Sequence, residues 1–226
     1  MITIRTQREW DELPELFDDF TVIEIRSEEW IRIRKTPEKS RVVARESSHV
    51  TARDSSRVEA MDSSHVTAWE SSRVEAMDSS HVVAMDSSHV LVMNSSHVVA
   101  WDSSHVTAWD SSRVKAWDSS HVKAWDSSHV EAMGSSHVEA QGFSHVEAWD
   151  SSRVEARDSS RVVAWGYSRV EAMGSSRVKA WDSSVCDNMS RNTQIQAGDN
   201  ATLYLKTEPS LIDCEDSVNI LRDKSH

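Results

Sequence analysis

The chain has 226 residues, is 27% charged and carries a formal net charge of -12, from 25 basic and 37 acidic side chains. That balance disfavours non-specific attachment to nucleic acid or anionic membrane, and no apolar run reaches the roughly 18 residues of a membrane-spanning helix. Met1-Ile2-Thr3-Ile4-Arg5 lacks the apolar stretch of an export signal, and Cys186 and Cys214 are the only thiols, so free cysteines and a cytoplasmic location are expected.

Residues 1–37 read as an amino-terminal cap made of a strand, a short helix and two irregular coil strands. Thr6-Gln7-Arg8-Glu9 has the spacing of a capping box, with Trp10, Leu13 and Phe17 available to cover an exposed core end. Pro14 limits or bends that helix. Ile23 and Ile25 are followed eight residues later by Ile31 and Ile33, which predicts coils with larger core residues.

From residue 38 to 184 the chain is built of octads of the form Ser-(His/Arg)-Val-x-Ala-(Trp/Met)-Asp-Ser. Valine returns every eight residues from Val42 to Val178, with serine two before it and alanine two after it, except at Val92. A fixed short period marks a repeat architecture in which each unit buries its apolar face against its neighbours. Serine, valine and alanine at alternate positions give period two, a strand with one buried face. A helix fails, because valine at this spacing would precess around the axis and the β-branched, serine-rich content opposes it. Asp-Ser-Ser supplies the turn. Asparagine or glycine in the Asp slot (Asn94, Gly134, Gly142, Gly166, Gly174) points to left-handed backbone there, which Glu46 and Glu70 fit less well.

One strand and one turn per octad predict an all-β fold, a flattened parallel β-solenoid with two octads per 16-residue coil. After Ser184 the pattern falters: Cys186 replaces valine and Asn188 replaces alanine. It resumes out of phase as Thr193, Ile195, Ala197, Ala201, Leu203 and Leu205, until Pro209. Residues 185–226 are therefore expected to form irregular coils and a carboxy-terminal capping segment or tail.

Ser64-His65-Val66-Thr67-Ala68 and Ser104-His105-Val106-Thr107-Ala108 resemble the central repeats of bacterial ice-nucleation proteins, whose 16-residue units hold two similar octads. The resemblance covers about two thirds of the chain and implies a stacked β-solenoid. In that family ice binding is attributed to outward Thr-x-Thr columns. Here the first outward position is His or Arg, and only Thr51, Thr67 and Thr107 occupy the second.

With two octads per coil, residues sixteen apart share a face. One face carries Arg57 and Glu59, Arg73 and Glu75, Arg153 and Glu155, Arg169 and Glu171, a solvated charged surface. The other runs through His49, His65, His81 and His97, with Thr51 and Thr67 beside them. A flanking column of Trp69, Met85, Trp101, Trp117 and Trp149 reads as an outward apolar strip, the usual mark of an interface. The leading expectation is a non-catalytic structural or binding scaffold that self-associates or docks a protein partner through this Trp/Met/His face. Alternatives are an ice-binding protein, a carbohydrate-binding or adhesin module, and an acidic DNA mimic. The last needs a continuous carboxylate column at the surface, and alternating Arg and Lys interrupt any such column.

No cofactor or metal site is expected, since the chain has no His-x-x-x-His or Cys-x-x-Cys unit and a flat column lacks the closed geometry of structural zinc. Catalysis is not expected either. Strand alternation places Ser64 inside and His65 outside, so serine and histidine cannot act as nucleophile and base.

Overall fold

The structure is a computed structural model that describes residues 1–222. The chain divides into two compact units, residues 1–113 and 114–226, and each is an all-β parallel solenoid. Strands that begin sixteen residues apart pair in parallel and in register. In the first unit His49–Ala52 pairs with His65–Ala68, and Arg57–Ala60 with Arg73–Ala76. In the second, His129–Ala132 pairs with His145–Ala148, and Arg153–Ala156 with Arg169–Ala172. Consecutive octads thus alternate between two sheets, and one coil holds two of them.

The alternation read from the sequence sets which side chains are buried. Val58, Val66 and Val74 are at most 2% exposed, and the alanines two residues on are fully buried. At about 1.5 kcal/mol or more for a buried valine, and less for alanine, this core is thin. Backbone ladders on both sides of every interior strand share the stabilisation.

Serine is the third inward residue, and Ser56 through Ser184 at eight-residue spacing are fully buried. Ser96 Oγ donates to the Met93 carbonyl at 2.8 Å, and Ser128 Oγ to the Trp125 carbonyl at 2.9 Å. Those carbonyls also accept the serine's own backbone N–H, closing the turn. The Oγ atoms of Ser56, Ser64, Ser72 and most other inward serines have no such partner, so serine's small size, more than this bond, is what suits it to the corner.

At the turns the left-handed backbone is present throughout. Asp62 lies at φ 58°, Asp78 at 61°, Asn94 at 60° and Gly142 at 77°. Glu46 and Glu70, read as poorer fits, adopt it too, at 60° and 59°, because the ladders on either side fix the corner whatever occupies it. Several of the Asp carboxylates also reach back one coil. Asp78 Oδ2 accepts from Asp62 N–H at 3.3 Å, Asp110 from Asn94 at 3.2 Å, and Asp150 from Gly134 at 3.1 Å. The octad's aspartate is thus a staple between coils as well as a turn former.

The amino-terminal cap forms as expected up to its helix. Thr6 accepts from Glu9 N–H at 3.3 Å, and the Glu9 carboxylate accepts from the backbone of Arg5 and Thr6, so the capping box opens a helix at Gln7–Asp11. It ends before Pro14. Trp10 is buried, whereas Phe17 belongs to the following strand, Leu16–Ile25, and is half-buried. Gln7 accepts from Arg32 N–H at 2.7 Å and donates to its carbonyl at 3.2 Å, satisfying backbone groups of a strand that would otherwise present a bare edge. Ile23, Ile25, Ile31 and Ile33 are fully buried beneath this cap.

The carboxy-terminal expectation needs correction. Beyond Pro209 the chain makes another coil instead of a covering segment. Leu211–Cys214 stacks on Gln194–Ala197, and Asn219–Arg222 on Thr202–Leu205. The physical reason is that Leu203 and Leu205 leave an in-register ladder on which Ile220 and its neighbours can add. Cys186 takes the valine position fully buried, where desolvation pushes its thiol pKa up to about 12, and both cysteines are unbridged. Asn188, in the alanine slot, donates to the Thr207 carbonyl at 2.6 Å and accepts from Thr193 Oγ, so a buried amide is satisfied where a methyl usually packs.

The staple generates a stability prediction. Asp78→Ala removes the acceptor and places a Cβ-bearing, non-bonding side chain in left-handed backbone, and is expected to cost about 1 kcal/mol. Asp78→Gly costs less, because glycine accepts that backbone, and Asp78→Asn, which keeps an acceptor, is near neutral. Urea-unfolding midpoints ranked Asn, Gly, Ala check the account, and a neutral Ala variant contradicts it.

Candidate functional site

The site grows from register alone. In the first unit the strands His49–Ala52, His65–Ala68, His81–Ala84 and His97–Ala100 lie side by side, with His49 opposite His65, His65 opposite His81 and His81 opposite His97. Their imidazoles stack at 4.9, 5.0 and 5.0 Å with interplanar angles of 12°, 9° and 6°. That separation is essentially the strand spacing, so the stack is inherited from the ladder. Trp30 lies tilted on His49 at 5.0 Å and closes one end of the column. Next to it runs a second outward column of Thr51, Thr67, Val83 and Val99.

The flanking column differs from the outward strip read from the sequence. Trp69, Met85 and Trp101 are half-buried. Each follows the inward alanine, where the chain leaves the strand and turns the corner, so its side chain lies along the edge of the coil instead of standing off it. Arg53 places its guanidinium 5.5 Å from the Trp69 ring centroid, a cation–π contact at the head of the column.

The second unit repeats the pattern with different occupants. His129 and His145 stack at 5.0 Å and 4°. Trp149 stacks on Trp165 at 5.4 Å, and Trp165 on Trp181 at 6.1 Å. Trp117 is half-buried, whereas Trp149 is 40% exposed. Beside these columns the outward residues are charged, and Lys115 pairs with Glu131 at 2.9 Å. Of the residues singled out from the sequence, His65, His81, His97, Thr51, Thr67, Trp69, Met85 and Trp101 therefore share the first unit, and Trp117 and Trp149 belong to the second.

Two features escaped the sequence reading. Histidine also stacks on the other sheet, where His89 and His105 lie 5.0 Å apart at 10°. Their sixteen-residue spacing was a sufficient signal, obscured by arginines at other positions of that column. The second lies at the turns, where aspartates such as Asp62 and Asp78 are bonded to the preceding coil. Glu70 shows the cost of stacking acids: hydrogen bonding and repulsion from Asp54 hold its carboxyl above the usual range.

Stacked imidazoles carry their own electrostatic consequence. Desolvation, followed by the neighbouring histidines, lowers the pKa of His65; desolvation, then His81 and Arg113, lowers that of His97. His145 is lowered by desolvation, then by His129 and Arg161, with Glu147 opposing. Among the described residues no group of three or more His, Cys, Asp or Glu is arranged to hold a metal ion, and no helix is long and apolar enough to cross a membrane. Comparison of the chain with family models, with curated proteins and with solved structures finds no match.

The pH dependence follows with its sign. The folded chain holds these imidazoles below their ordinary value of 6.5, so it binds fewer protons than the unfolded chain. Stability is then full above that value and is lost as pH falls from it through the lowered folded values. The melting temperature is expected to drop between pH 7.5 and pH 5, and a His65→Gln/His97→Gln variant to flatten that drop. Parallel curves for the two proteins would refute the assignment.

Proposed function

We propose that the chain is a non-catalytic repeat scaffold that associates with itself, or with a protein partner, through its Trp/Met/His columns. The observation that carries this reading is the face of the first unit formed by His49, His65, His81 and His97 with Thr51, Thr67, Val83 and Val99. Apart from Arg53 at its margin, it presents four coils without a formal charge at neutral pH, in a chain that is 27% charged. Half-buried Trp69, Met85 and Trp101 line its edge. Depletion of charge with aromatic and methionine enrichment is the composition of an interface centre, and a ladder-held surface loses little entropy on docking.

The non-catalytic part rests on the same alternation. Ser64 and Ser80 are fully buried while His65 and His81 point outward, so these serines do not meet the adjacent imidazoles as nucleophile meets base. In the second unit a sugar-binding strip is disfavoured because Trp149, Trp165 and Trp181 turn their ring faces toward each other. An ice-binding surface finds only the Thr51–Thr67 pair on this face.

Sedimentation velocity tests the proposal. The wild type is expected to sediment as a species larger than one chain, and Trp101→Glu, which sets a charge at the edge of the face, to shift it toward the single chain. A single chain in both samples would eliminate self-association.

A further inference from the structure

The second unit contains a groove of about 710 Å³ whose lining includes Arg161, Arg177, Ser159, Ser175, Asn192 and Phe143. Arg161 and Arg177 face each other in register on paired parallel strands. Like charges set directly opposite on paired strands repel, and elsewhere the chain offsets this with acids. Arg57 and Arg73 have Glu59 and Glu75 two residues on, and Arg169 pairs with Asp187 at 2.6 Å.

On the strands of Arg161 and Arg177 themselves the acids are missing, and Glu147 on the preceding strand lies 3.8 Å from His145. The positions two residues on are Val163 and Lys179, and the turn column reads Gly142, Asp158, Gly174. The carboxylate of Asp158 is engaged by Gly142 N–H at 3.3 Å. The ion pairs of the described residues in this unit use Lys115, Lys123, Arg157, Arg169 and Arg222, together with His137 and His145, and none includes Arg161 or Arg177. A chain of net charge -12 thus keeps two adjacent guanidiniums outside any ion pair of the described residues, beside a row of hydroxyl and amide groups.

We propose that this groove binds a phosphate-bearing small molecule. A carboxylate offers two oxygens, which one guanidinium fills in bidentate fashion. Two guanidiniums with Ser159, Ser175 and Asn192 supply donors for a group with three or more oxygens, and an anion between the arginines removes their repulsion. Phe143, 73% exposed, offers a ring surface to the organic part. The groove uses residues of the second unit alone, none of them in the face that carries the scaffold reading, so it stands or falls independently of that reading.

Calorimetric titration of the full chain with pyrophosphate at constant ionic strength tests it, with acetate as the carboxylate arm. Saturable pyrophosphate binding, no acetate binding, and a loss of about ten-fold or more in affinity for Arg161→Gln/Arg177→Gln are expected. Arg57→Gln/Arg73→Gln, on the other face of the first unit, leaves affinity unchanged. Arg177→Lys keeps the charge but not the bidentate fork and weakens binding without touching the core. Absence of saturation, acetate binding as tight as pyrophosphate, or equal losses in the two double variants would overturn the proposal.

Discussion

Parallel pairing at a sixteen-residue offset places each side chain directly beside its counterpart in the neighbouring coil. Valine meets valine, alanine meets alanine and histidine meets histidine, as in the ladder from His49 to His97. The core follows from this constraint. Side chains as small as Ser, Val and Ala enclose little volume, and each interior strand is paired with a neighbouring strand on both sides. Larger residues enter as whole rows beneath the amino-terminal helix, with Ile23, Ile25, Ile31 and Ile33, and singly where Val92 lies between Ala76 and Ala108.

Stacking like on like suits some side chains and penalises others. Neutral imidazoles and indoles gain face contact at the strand spacing, which accounts for the His and Trp stacks. Charges do not, and the chain handles them in three ways. It offsets partners between adjacent coils, as Lys115 with Glu131. It ties turn carboxylates to backbone N–H groups, as Asp78 with Asp62. It also drops the acid altogether, as at Gly142 and Gly174. Gly174 further relieves a tight approach, since a Cβ there would lie 2.8 Å from Asp158 N. Arg161 and Arg177 stand out because the first remedy is missing, neither taking part in an ion pair between coils, and that is the physical basis for reading them as a receptor for an anion.

Much of this was legible in the octad because its period is short and its alternation strict. The serine, valine and alanine positions name the buried face, and aspartate exchanging with asparagine and glycine names the left-handed corner. Less was legible at the site. The half-buried setting of Trp69 and Trp101 depends on the corner geometry just after the strand, where alternation no longer says which way a side chain lies. The carboxylate staples were hidden for a related reason: local sequence explains aspartate as a turn former, and its bond to the coil before is a contact sixteen residues away.

Period and alternation, both local properties, therefore determined by themselves that the chain forms strands, which three residues of each octad turn inward, and that residues sixteen apart share a column. Distances between coils decided the remainder: how closely His65 lies on His81, that Asp150 reaches Gly134 N–H, and that the chain past Pro209 adds one more coil. Each is a contact between segments remote in sequence, and its strength depends on the spacing and solvent exposure that the assembled ladder sets. The pKa shifts of His65 and His97 exist only there, since an isolated octad neither removes an imidazole from water nor brings a second one alongside it.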